Sequence, residues 1–526
     1  MRKTIPLLLG LLAYACVCAG QSCGCDKTLT ASGIYRPISQ GSGPFYLDLQ
    51  PGDTVCIAAG NYSMLRFIGF QGTAEAPIVL KNCGGLVTIG HKSYYAALDF
   101  QGCRYFHVTG TGSAEHTYGI RIDSCGVASA LAVGALSSDF EVDHIEVAKA
   151  GFAGMMMKTD PNCNAATWQG NFAMHNLDVH HNYVHDVGGE GFYIGNSFYA
   201  NGMTIKCDGV NTQVYPHLIY GLRLHHNIIE RSGAECIQYA CAPDAQVHDN
   251  VATNCGIAPF AAFQNNGIQC GGGAGGDCYN NVVRNVGGSG LAILGHLGNN
   301  RFFNNLLVNC GGDAIFCDDR NGSLPNTYCD FLNNTIVNAG RNAMRLYNQN
   351  NSILLANNVM VKAGSSFLYF LQGATATQQT NYTANSFVPG VFQDTLTMMP
   401  APGSPLLNAG TDLTALGVGF DLMNVPRPVG SGFDIGCHEY CSGVPGICAP
   451  QNWYADTDVD GYGDAAVSVS ALPPAPAGFV SNYLDCDDTD PAINPAATET
   501  CNNTDDDCNG IVDDEATDAD TQWYPD

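Results

Sequence analysis

Asparagine recurs through the middle of this chain at a nearly regular spacing, each time three residues after an apolar position. The asparagines that share this pattern are Asn182, Asn227, Asn250, Asn281, Asn305, Asn334 and Asn358. They are separated by 45, 23, 31, 24, 29 and 24 residues, so the basic unit has 23 or 24 residues and some units carry insertions. A repeat of this period predicts small units that stack on one another, because a chain of 526 residues is too long for one ordinary core.

Each unit contains two short segments with the alternation that is typical of a β-strand. The first ends just before the asparagine and has inward apolar residues such as Leu177 and Val179. The second follows a glycine turn and has inward residues such as Phe192 and Ile194. Strands of about five residues that recur at a fixed spacing predict an all-β parallel solenoid, whose coils stack at ~4.8 Å.

Two further stretches resemble a known family. PGDTVCIAAGNY at 51–62 precedes the repeats, and SPLLNAG at 404–410, followed by PRP and DIG, ends them. With the coils between them, these stretches are similar to the right-handed parallel β-helix of the pectate-lyase-like superfamily over residues 27–440. The resemblance implies this fold. It does not select a reaction, since the superfamily includes lyases, hydrolases, epimerases and non-catalytic adhesins.

The N-terminal residues and the cysteines indicate export. Residues 1–20 combine a basic start, an apolar run and small residues, which predicts a signal peptide. No later segment has the ~20 uninterrupted apolar residues that a transmembrane segment needs. Of the 24 cysteines, 22 lie beyond Cys18, which favours several disulfides in a secreted or cell-surface protein. The net charge of -27 argues against a nucleic-acid partner.

Alignment of the units places histidines in two adjacent columns that are confined to four coils. The first column holds Asp143, His180, His225 and His248, and the second holds His144, His181, His226 and Asp249. Three interpretations stay open. The rings form a ladder because a solenoid repeats its environment; they bind a metal ion together with Asp143 or Asp249; or a neutral ring acts as a base, because stacked histidines disfavour their own protonation.

The second strand of each unit predicts a binding groove. Insertions at 159–176 and 196–220 leave after this strand in consecutive coils and would wall a groove for an extended chain. Tyr193 on this strand is a stacking platform or proton donor for a sugar, or an ordinary surface aromatic residue. Glu190 and Glu235 align at the preceding turn, where they hold Ca²⁺, act as paired carboxylates or only bind backbone amides.

Such a groove suits a polysaccharide, and we expect a lyase that cleaves an acidic polysaccharide by β-elimination, with a glycoside hydrolase as the related reaction. β-Elimination needs a cation for the sugar carboxylate, a base for the adjacent proton and an acid for the leaving oxygen. The predicted catalytic residues are His180, His225, His248, Tyr193, Arg223 and Arg345. The predicted substrate-binding residues are Lys158, Glu190, Glu235, Gln238 and Gln269. The alternative function is a non-catalytic adhesin or glycan-binding protein at the cell surface.

The acidic C-terminal region predicts Ca²⁺ binding. From residue 451 onward there are 18 Asp and Glu residues and no Lys or Arg. YADTDVDGYGD and TDDDCNGIVDDE place side-chain oxygens at alternate positions around a glycine, as a Ca²⁺ loop requires. The predicted ligands are Asp456, Asp458, Asp460, Asp464, Asp485, Asp487, Asp505, Asp507, Asn509 and Asp513. A solvated acidic linker is the alternative.

The stretch between these loops, LPPAPAGFVSNYLDCDDTDPAINPAATETC, resembles the metal-binding repeat named after the surface protein MopE, and the loops resemble thrombospondin type 3 repeats. The resemblance implies a stalk that attaches a protein to the cell surface and has no catalytic role. We predict a linker at 441–451 and a metal-binding repeat at 452–521. A second copy is predicted to begin at 522–526, because QWYPD repeats the earlier NWYAD.

Overall fold

The computed structural model describes most of the chain. The described residues are 23–30, 34–35, 47–91, 93, 95–320, 323–395, 397–441, 451–471, 476, 478–480, 485–495, 497–500, 502, 504–508 and 512–513. The predicted signal peptide, most of the predicted linker, Asn509 and the predicted second copy at 522–526 lie outside these ranges. All other predicted site residues lie within them.

Two long parallel sheets form the body of the protein, a 24-stranded sheet (sheet A) and a 12-stranded sheet (sheet B). A typical coil contributes two consecutive strands to sheet A and one strand to sheet B. Each strand pairs with the equivalent strands of the coils before and after it. The chain therefore winds into a right-handed parallel β-helix, which confirms the predicted fold class.

The strand bounds follow this three-strand repeat. The first strands of sheet A are Lys27–Leu29, Thr54–Tyr62, Ile78–His91, Arg104–Thr109, Ser138–Asp143, Ala173–His180, Leu218–His225, Ala245–His248, Gly276–Tyr279, Asn300–Phe303, Thr327–Leu332, Asn351–Ser352, Leu354–Ala356 and Thr377–Gln379. The second strands of sheet A are Ile120–Cys125, Ile145–Val147, Tyr183–His185, Ile228–Glu230, Val251–Thr253, Val282–Val286, Leu306–Cys310, Thr335–Ala339, Val359–Ala363 and Tyr382–Ala384. The strands of sheet B are Ile34–Tyr35, Met64–Ile68, Ala96–Gln101, Ser129–Gly134, Met155–Met157, Phe192–Ile194, Ile237–Tyr239, Ile268–Cys270, Leu291–Leu294, Ile315–Asp318, Met344–Leu346 and Leu368–Phe370.

Inward apolar columns make one continuous core. Leu177 stands opposite Leu222 in the next coil, and Phe192 stands opposite Ile237, with all four side chains fully buried.

The second strand of sheet A is absent from the sequence-based prediction, which has two strands per unit. A strand such as Tyr183–His185 has only three residues, so it shows too little alternation to be recognised.

The recurring asparagines form a buried ladder at the corner between the two strands of sheet A. Asn250 Nδ2 donates to the carbonyl oxygens of Leu224 and His248 at 2.8 and 2.9 Å, and its Oδ1 accepts from the backbone N–H of Asn227 at 3.1 Å. The residue before it, Asp249, has a φ of 53°, in the left-handed region that aspartate and asparagine tolerate best. Asn250 thus satisfies three buried backbone groups that the turn leaves unpaired, and later ladder residues such as Asn305 and Asn334 satisfy two each.

Residues 391–440, here called the covering segment, fold back over the outer face of the later coils of sheet A. One apolar cluster joins it to the second strands through Val391, Leu406 and Ile435. Another joins Leu413, Val418 and Phe433 of the covering segment to Phe303, Leu332 and Ala356 of the first strands. Outward side chains of these coils are therefore buried, although they lie outside the β-helix core.

The insertions fold locally and are tied together. Residues Met203–Cys207 and Val210–Val214 form an antiparallel hairpin within the insertion at 196–220. A disulfide between Cys163 and Cys207 links this hairpin to the insertion at 159–176, which carries the short 3₁₀ helix Ala165–Thr167. Other disulfides in the described ranges are Cys23–Cys83, Cys25–Cys56, Cys236–Cys255 and Cys486–Cys508.

The acidic region has a small antiparallel sheet of its own, formed by Gln451–Ala455, Asp464–Ala471 and Phe479–Val480.

A second 3₁₀ helix, Thr414–Leu416, belongs to the covering segment. Within the residues that the structure describes, no helix is long and apolar enough to pass through a membrane.

Candidate functional site

The outer face of sheet B carries a groove with a cavity volume of about 610 Å³. Its floor follows the outward column of sheet B, coil by coil, through Gln238, Gln269, Ala292 and Phe316. The insertion at 196–220 supplies one wall, and residues 262–266 supply the other in place of the insertion at 159–176. A cavity of this size that combines aromatic and amide side chains is typical of a ligand site.

Two arginines line the downstream end of the groove, and a tyrosine contacts one of them. Arg345 follows Phe316 in the outward column, and its guanidinium lies 5.4 Å from the centre of that ring. Arg345 Nε donates to the Tyr347 hydroxyl at 2.7 Å. Arg341 Nη2 and Arg345 Nη1 lie 3.1 and 3.5 Å from Oδ2 of Asp313, which is fully buried. The buried carboxylate therefore fixes both guanidinium groups beside the cavity.

A third arginine makes this end net positive. Arg320 also lines the cavity, and its Nε lies 2.5 Å from Oδ2 of Asp318. Its side chain is still 56% exposed. The charged side chains that line the cavity are thus three guanidinium groups and one carboxylate, Asp313. Because a planar guanidinium group matches the geometry of a carboxylate, the surplus charge suits an anionic ligand.

A polar column runs beneath the upstream part of the groove. Gln269 Nε2 donates to Gln238 Oε1 at 3.1 Å, and Asn266 Nδ2 donates to Glu235 Oε1 at 3.1 Å. Burial raises the pKa of Glu235 to about 7, and the neighbouring Glu190 contributes to the rise. Burial also raises the pKa of Glu190. Neither glutamate has a described hydrogen-bond partner at Oε2, and burial favours the protonated form of both.

The predicted residues at the upstream end lie far from Arg345. Lys158 Nζ lies 4.4 Å from the centre of the Tyr193 ring and 3.0 Å from Oδ1 of Asp160. Tyr193 precedes Gln238 by one coil in the outward column. Five coil steps separate Tyr193 from Arg345, which corresponds to about 24 Å at the usual strand spacing. The two side chains therefore cannot act on the same sugar ring.

The predicted histidines lie at the asparagine corner of sheet A. His180, His225 and His248 stand in register, and successive rings stack with centres 4.9 Å apart. Each of the first two rings bonds sideways to its neighbour: His180 Nδ1 lies 2.8 Å from His181 Nδ1, and the same distance separates His225 and His226. In each pair, one ring nitrogen donates and the other accepts.

Carboxylates and neighbouring rings set the charge of these columns. His180 Nε2 lies 3.0 Å from Glu141, and His225 Nε2 lies 2.9 Å from Asp178. Burial, followed by the surrounding histidines, lowers the pKa of His181 to about 4. Burial and neighbouring histidines also lower the pKa of His226. The His181 and His226 rings are therefore neutral at neutral pH.

One donor atom from each of His226, His248 and Asp249 lies within 4.8 Å of the other two, so these residues could hold a metal ion. His248 Nδ1 is already 2.7 Å from Asp249 Oδ2. A hydrogen-bonded ladder accounts for this contact without a metal.

The structure divides the predicted catalytic and substrate-binding residues between two faces. Tyr193, Gln238, Gln269 and Arg345 share the outer face of sheet B. The three histidines and Arg223 lie on sheet A, where Arg223 Nη2 is 3.5 Å from His225 Nε2, and the apolar core separates them from the groove. Tyr347 is absent from the sequence-based prediction. Tyr347 follows Arg345 by two residues and therefore shares its face of the strand, so the period-two alternation in the sequence could have identified it.

Carboxylates in the acidic region converge as a cation site requires. Asp456, Asp458 and Asp460 each bring an oxygen within 4.8 Å of the others. Nearby Asp485 contributes to the raised pKa of Asp458, which burial and Asp460 lift to about 6. The Oδ2 atoms of Asp458, Asp460 and Asp485 are buried with no described hydrogen-bond donor. Buried carboxylate oxygens that lack donors fit a hard cation such as Ca²⁺.

The other predicted ligands are used differently or lie farther along the chain. Asp464 accepts from the backbone N–H of Ala466 at 2.7 Å, and Asp487 accepts from the Thr489 hydroxyl at 2.6 Å. Asp513 accepts from the backbone N–H of Asn502 at 2.8 Å. Asp505 and Asp507 lie in the second loop, next to the disulfide-bonded Cys508.

Comparison with known families finds one match in this acidic region. The family model Cu-binding_MopE, described as "Putative metal-binding motif", matches residues 485–514. A motif of this type is therefore present at the C-terminal end of the chain. No curated protein matches the sequence.

Several solved structures are similar to the β-helix. A GH136 lacto-N-biosidase from Eubacterium ramulus has 15% identity, with 67% of this chain and 68% of that chain covered, and a TM-score of 0.45. The pectate lyase Pel9A has 14% identity, with 80% of this chain and 98% of that chain covered, and a TM-score of 0.35. An alginate lyase from Paenibacillus sp. str. FPU-7 has 12% identity, with 68% of this chain and 99% of that chain covered, and a TM-score of 0.33. At such low identities and TM-scores, these likenesses assign no activity to this chain.

Proposed function

We propose that the protein is exported and that the groove on sheet B binds and cleaves an acidic polysaccharide. The observation that carries this proposal is the cluster of Arg320, Arg341 and Arg345 at one end of a walled groove with an amide and aromatic floor. Guanidinium groups pair with uronate carboxylates, while the amides of Gln238 and Gln269 suit sugar hydroxyls. The disulfides agree with an extracellular location.

The groups at this end suit β-elimination. A guanidinium group neutralises the uronate carboxylate, which makes the proton on the adjacent carbon more acidic. For this step Tyr347 acts as the phenolate: its oxygen, which faces the Arg345 N–H donors, accepts that proton and becomes the hydroxyl. The bond to the leaving oxygen then breaks, a carbon–carbon double bond forms, and the leaving oxygen takes a proton from the same hydroxyl. In this proposal Arg345 and Tyr347 carry the reaction, in place of the predicted catalytic set that combined Arg345 with the histidines.

The test is ultraviolet absorbance of the unsaturated product on a panel of uronate polymers. We expect Tyr347→Phe to lower kcat by about 10²-fold or more, because it removes the proton acceptor. Arg341→Gln should raise KM more than it lowers kcat, because it weakens carboxylate binding. The exposed Arg104, on a strand of sheet A, provides the charge-matched control Arg104→Gln, which should leave both constants unchanged.

A glycan-binding protein without catalysis is the second function that this groove supports, because Gln238 and Gln269 form a rigid amide floor that is nearly buried. Polymer binding that depends on Arg341, with no unsaturated or hydrolysed product, would select this function. Cleavage of the polymer into saturated products, without ultraviolet absorbance, would show hydrolysis and exclude a lyase. If neither binding nor cleavage depends on the groove arginines, the whole proposal fails.

For the acidic region we propose a Ca²⁺-stiffened stalk that attaches the protein to the cell surface. The matching family name refers to copper, whereas carboxylate oxygens favour Ca²⁺. Calorimetric titration of the full chain should show Ca²⁺ binding that Asp458→Asn weakens and that exposed Asp412→Asn does not affect. Binding should weaken as pH falls below about 6, where Asp458 becomes protonated. Preference for copper over Ca²⁺ would contradict the proposal.

A further inference from the structure

A histidine and two cysteines meet inside the β-helix, away from both outer faces. His296 lies in the turn between a sheet B strand and the next coil, Cys317 on the following sheet B strand, and Cys329 on the first strand of sheet A after it. All three side chains have no exposed surface. The Cys317 and Cys329 sulfurs lie 3.8 Å apart, and His296 Nε2 lies 3.7 Å from the Cys317 sulfur. All three donor atoms lie within 4.8 Å of one another.

These separations match the edges of a tetrahedral metal site. With metal–sulfur and metal–nitrogen bonds of about 2.3 and 2.0 Å, tetrahedral geometry places two sulfurs about 3.8 Å apart and a sulfur and a nitrogen about 3.5 Å apart. A disulfide would need the sulfurs at about 2.0 Å. The observed distances therefore fit two thiolates and an imidazole around one ion better than a covalent bond.

The imidazole is oriented as a metal ligand. His296 Nδ1 lies 3.0 Å from Oδ1 of Asn300, which can only accept, so Nδ1 carries the proton and the lone pair of Nε2 faces the sulfurs. The amide nitrogen of Asn300 lies 4.0 Å from the sulfur of Cys270, another buried thiol next to the cluster. Asn300 therefore holds two of the surrounding side chains in place.

We propose that His296, Cys317 and Cys329 bind a structural zinc ion in the interior of the β-helix. Binding of Zn²⁺ releases one proton from each thiol, and the two thiolates and the neutral imidazole balance the charge of the ion. A neutral assembly avoids the cost of an isolated charge in an apolar core. The ion links successive coils, because His296 follows the sheet B strand of one coil, Cys317 lies on the sheet B strand of the next, and Cys329 lies on the first strand of the coil after that.

The test uses the full chain, purified with Ca²⁺ and without a chelator. Metal analysis should find one zinc ion per chain, and Cys317→Ala, Cys329→Ala and His296→Ala should each lower zinc content at least about tenfold. Cys310 is also buried and free but lies outside the cluster, so Cys310→Ala is the matched control and should keep its zinc. Equal zinc in all variants, or none in the wild type, would overturn the proposal.

A measurement on the unmodified chain covers the case in which the variants do not fold. Replacement of zinc by Co²⁺ should produce the sulfur-to-metal charge-transfer bands of thiolate ligands, which carboxylates of the acidic region cannot give. Alkylation in denaturant with EDTA should label Cys317 and Cys329 without a reductant. If both cysteines need a reductant before they are labelled, they form a disulfide and the zinc site does not exist.

Discussion

One outward column of sheet A has opposite chemistry in its two halves. In the earlier coils it holds His180, His225 and His248, which face solvent or other polar groups. In the later coils it continues in the same register as Tyr279, Phe303 and Leu332. The stacking is continuous across the boundary, since the His248 and Tyr279 rings have centres 4.7 Å apart.

The covering segment explains the change. Phe420 of this segment lies against Tyr279 and Phe303, with ring centres 5.9 and 6.2 Å apart. The segment begins to cover the column where the histidines end. From His180 to Phe303 a planar ring thus stacks from coil to coil, whereas contact with solvent or with the covering segment decides whether the side chain is polar. The restriction of histidine to four coils therefore needs no catalytic explanation.

The strongest test compares truncation of one ring in each half. Phe303 is 3% exposed and packs between Tyr279, Leu332 and the covering segment, so Phe303→Ala should destabilise the protein by about 3–5 kcal/mol. His248→Ala in the partly exposed half should cost about 1 kcal/mol. Denaturant unfolding of the full chain measures both values. Equal costs would show that cover by the segment does not decide the chemistry of the column.

Replacement of a ladder asparagine by alanine should lower the stability by a similar amount in both halves, because the ladder is buried throughout. Asn281→Ala removes donors to the carbonyls of Val247 and Tyr279 and an acceptor for the Asn250 N–H, with an expected loss of about 2–4 kcal/mol. A similar loss is expected for Asn334→Ala. The exposed Asn254, with a φ of 55°, gives the control Asn254→Gly, which should be nearly neutral. A cost that differs strongly between the halves would show that the covering segment supports the ladder.

The smallest expected effect is a pH dependence confined to the histidine half. Because the pKa of His181 is about 4 in the folded protein and about 6.5 when unfolded, the unfolded chain binds more protons between these values. Stability is therefore fully present above about pH 6.5 and falls as pH drops toward 4. The double variant His181→Asn, His226→Asn should reduce this loss, since asparagine tolerates the left-handed backbone there and does not titrate.

Thermal unfolding from pH 4 to pH 8 measures this effect. His181→Val removes the same ring and should be less stable than His181→Asn at every pH by about 1–2 kcal/mol, because a β-branched residue is strained at a φ of 51°. An unchanged pH profile in the double asparagine variant would mean that other groups, such as the acidic residues, dominate the pH dependence.

The candidate site was predictable only in part. Period-two alternation and a gap-free alignment place Gln238, Gln269 and Arg345 on one face, and the structure has them in one column. The alignment cannot tell that the first strand and the sheet B strand of a coil face opposite sides of the core. It therefore grouped His225 and Arg223 with Tyr193, and it gave no reason to pair Arg345 with Tyr347 or with Asp313.

The sequence by itself determined the coil, its register and the asparagine corner, because these depend on local alternation and on a residue type that recurs every coil. Only the tertiary structure decided which outward residues are buried, since residues 391–440 return over coils that lie far away in sequence. It also brought Asp485 toward Asp458 and His296 toward Cys317 and Cys329. These contacts depend on how turns and loops close in space, and a repeat pattern does not encode that closure.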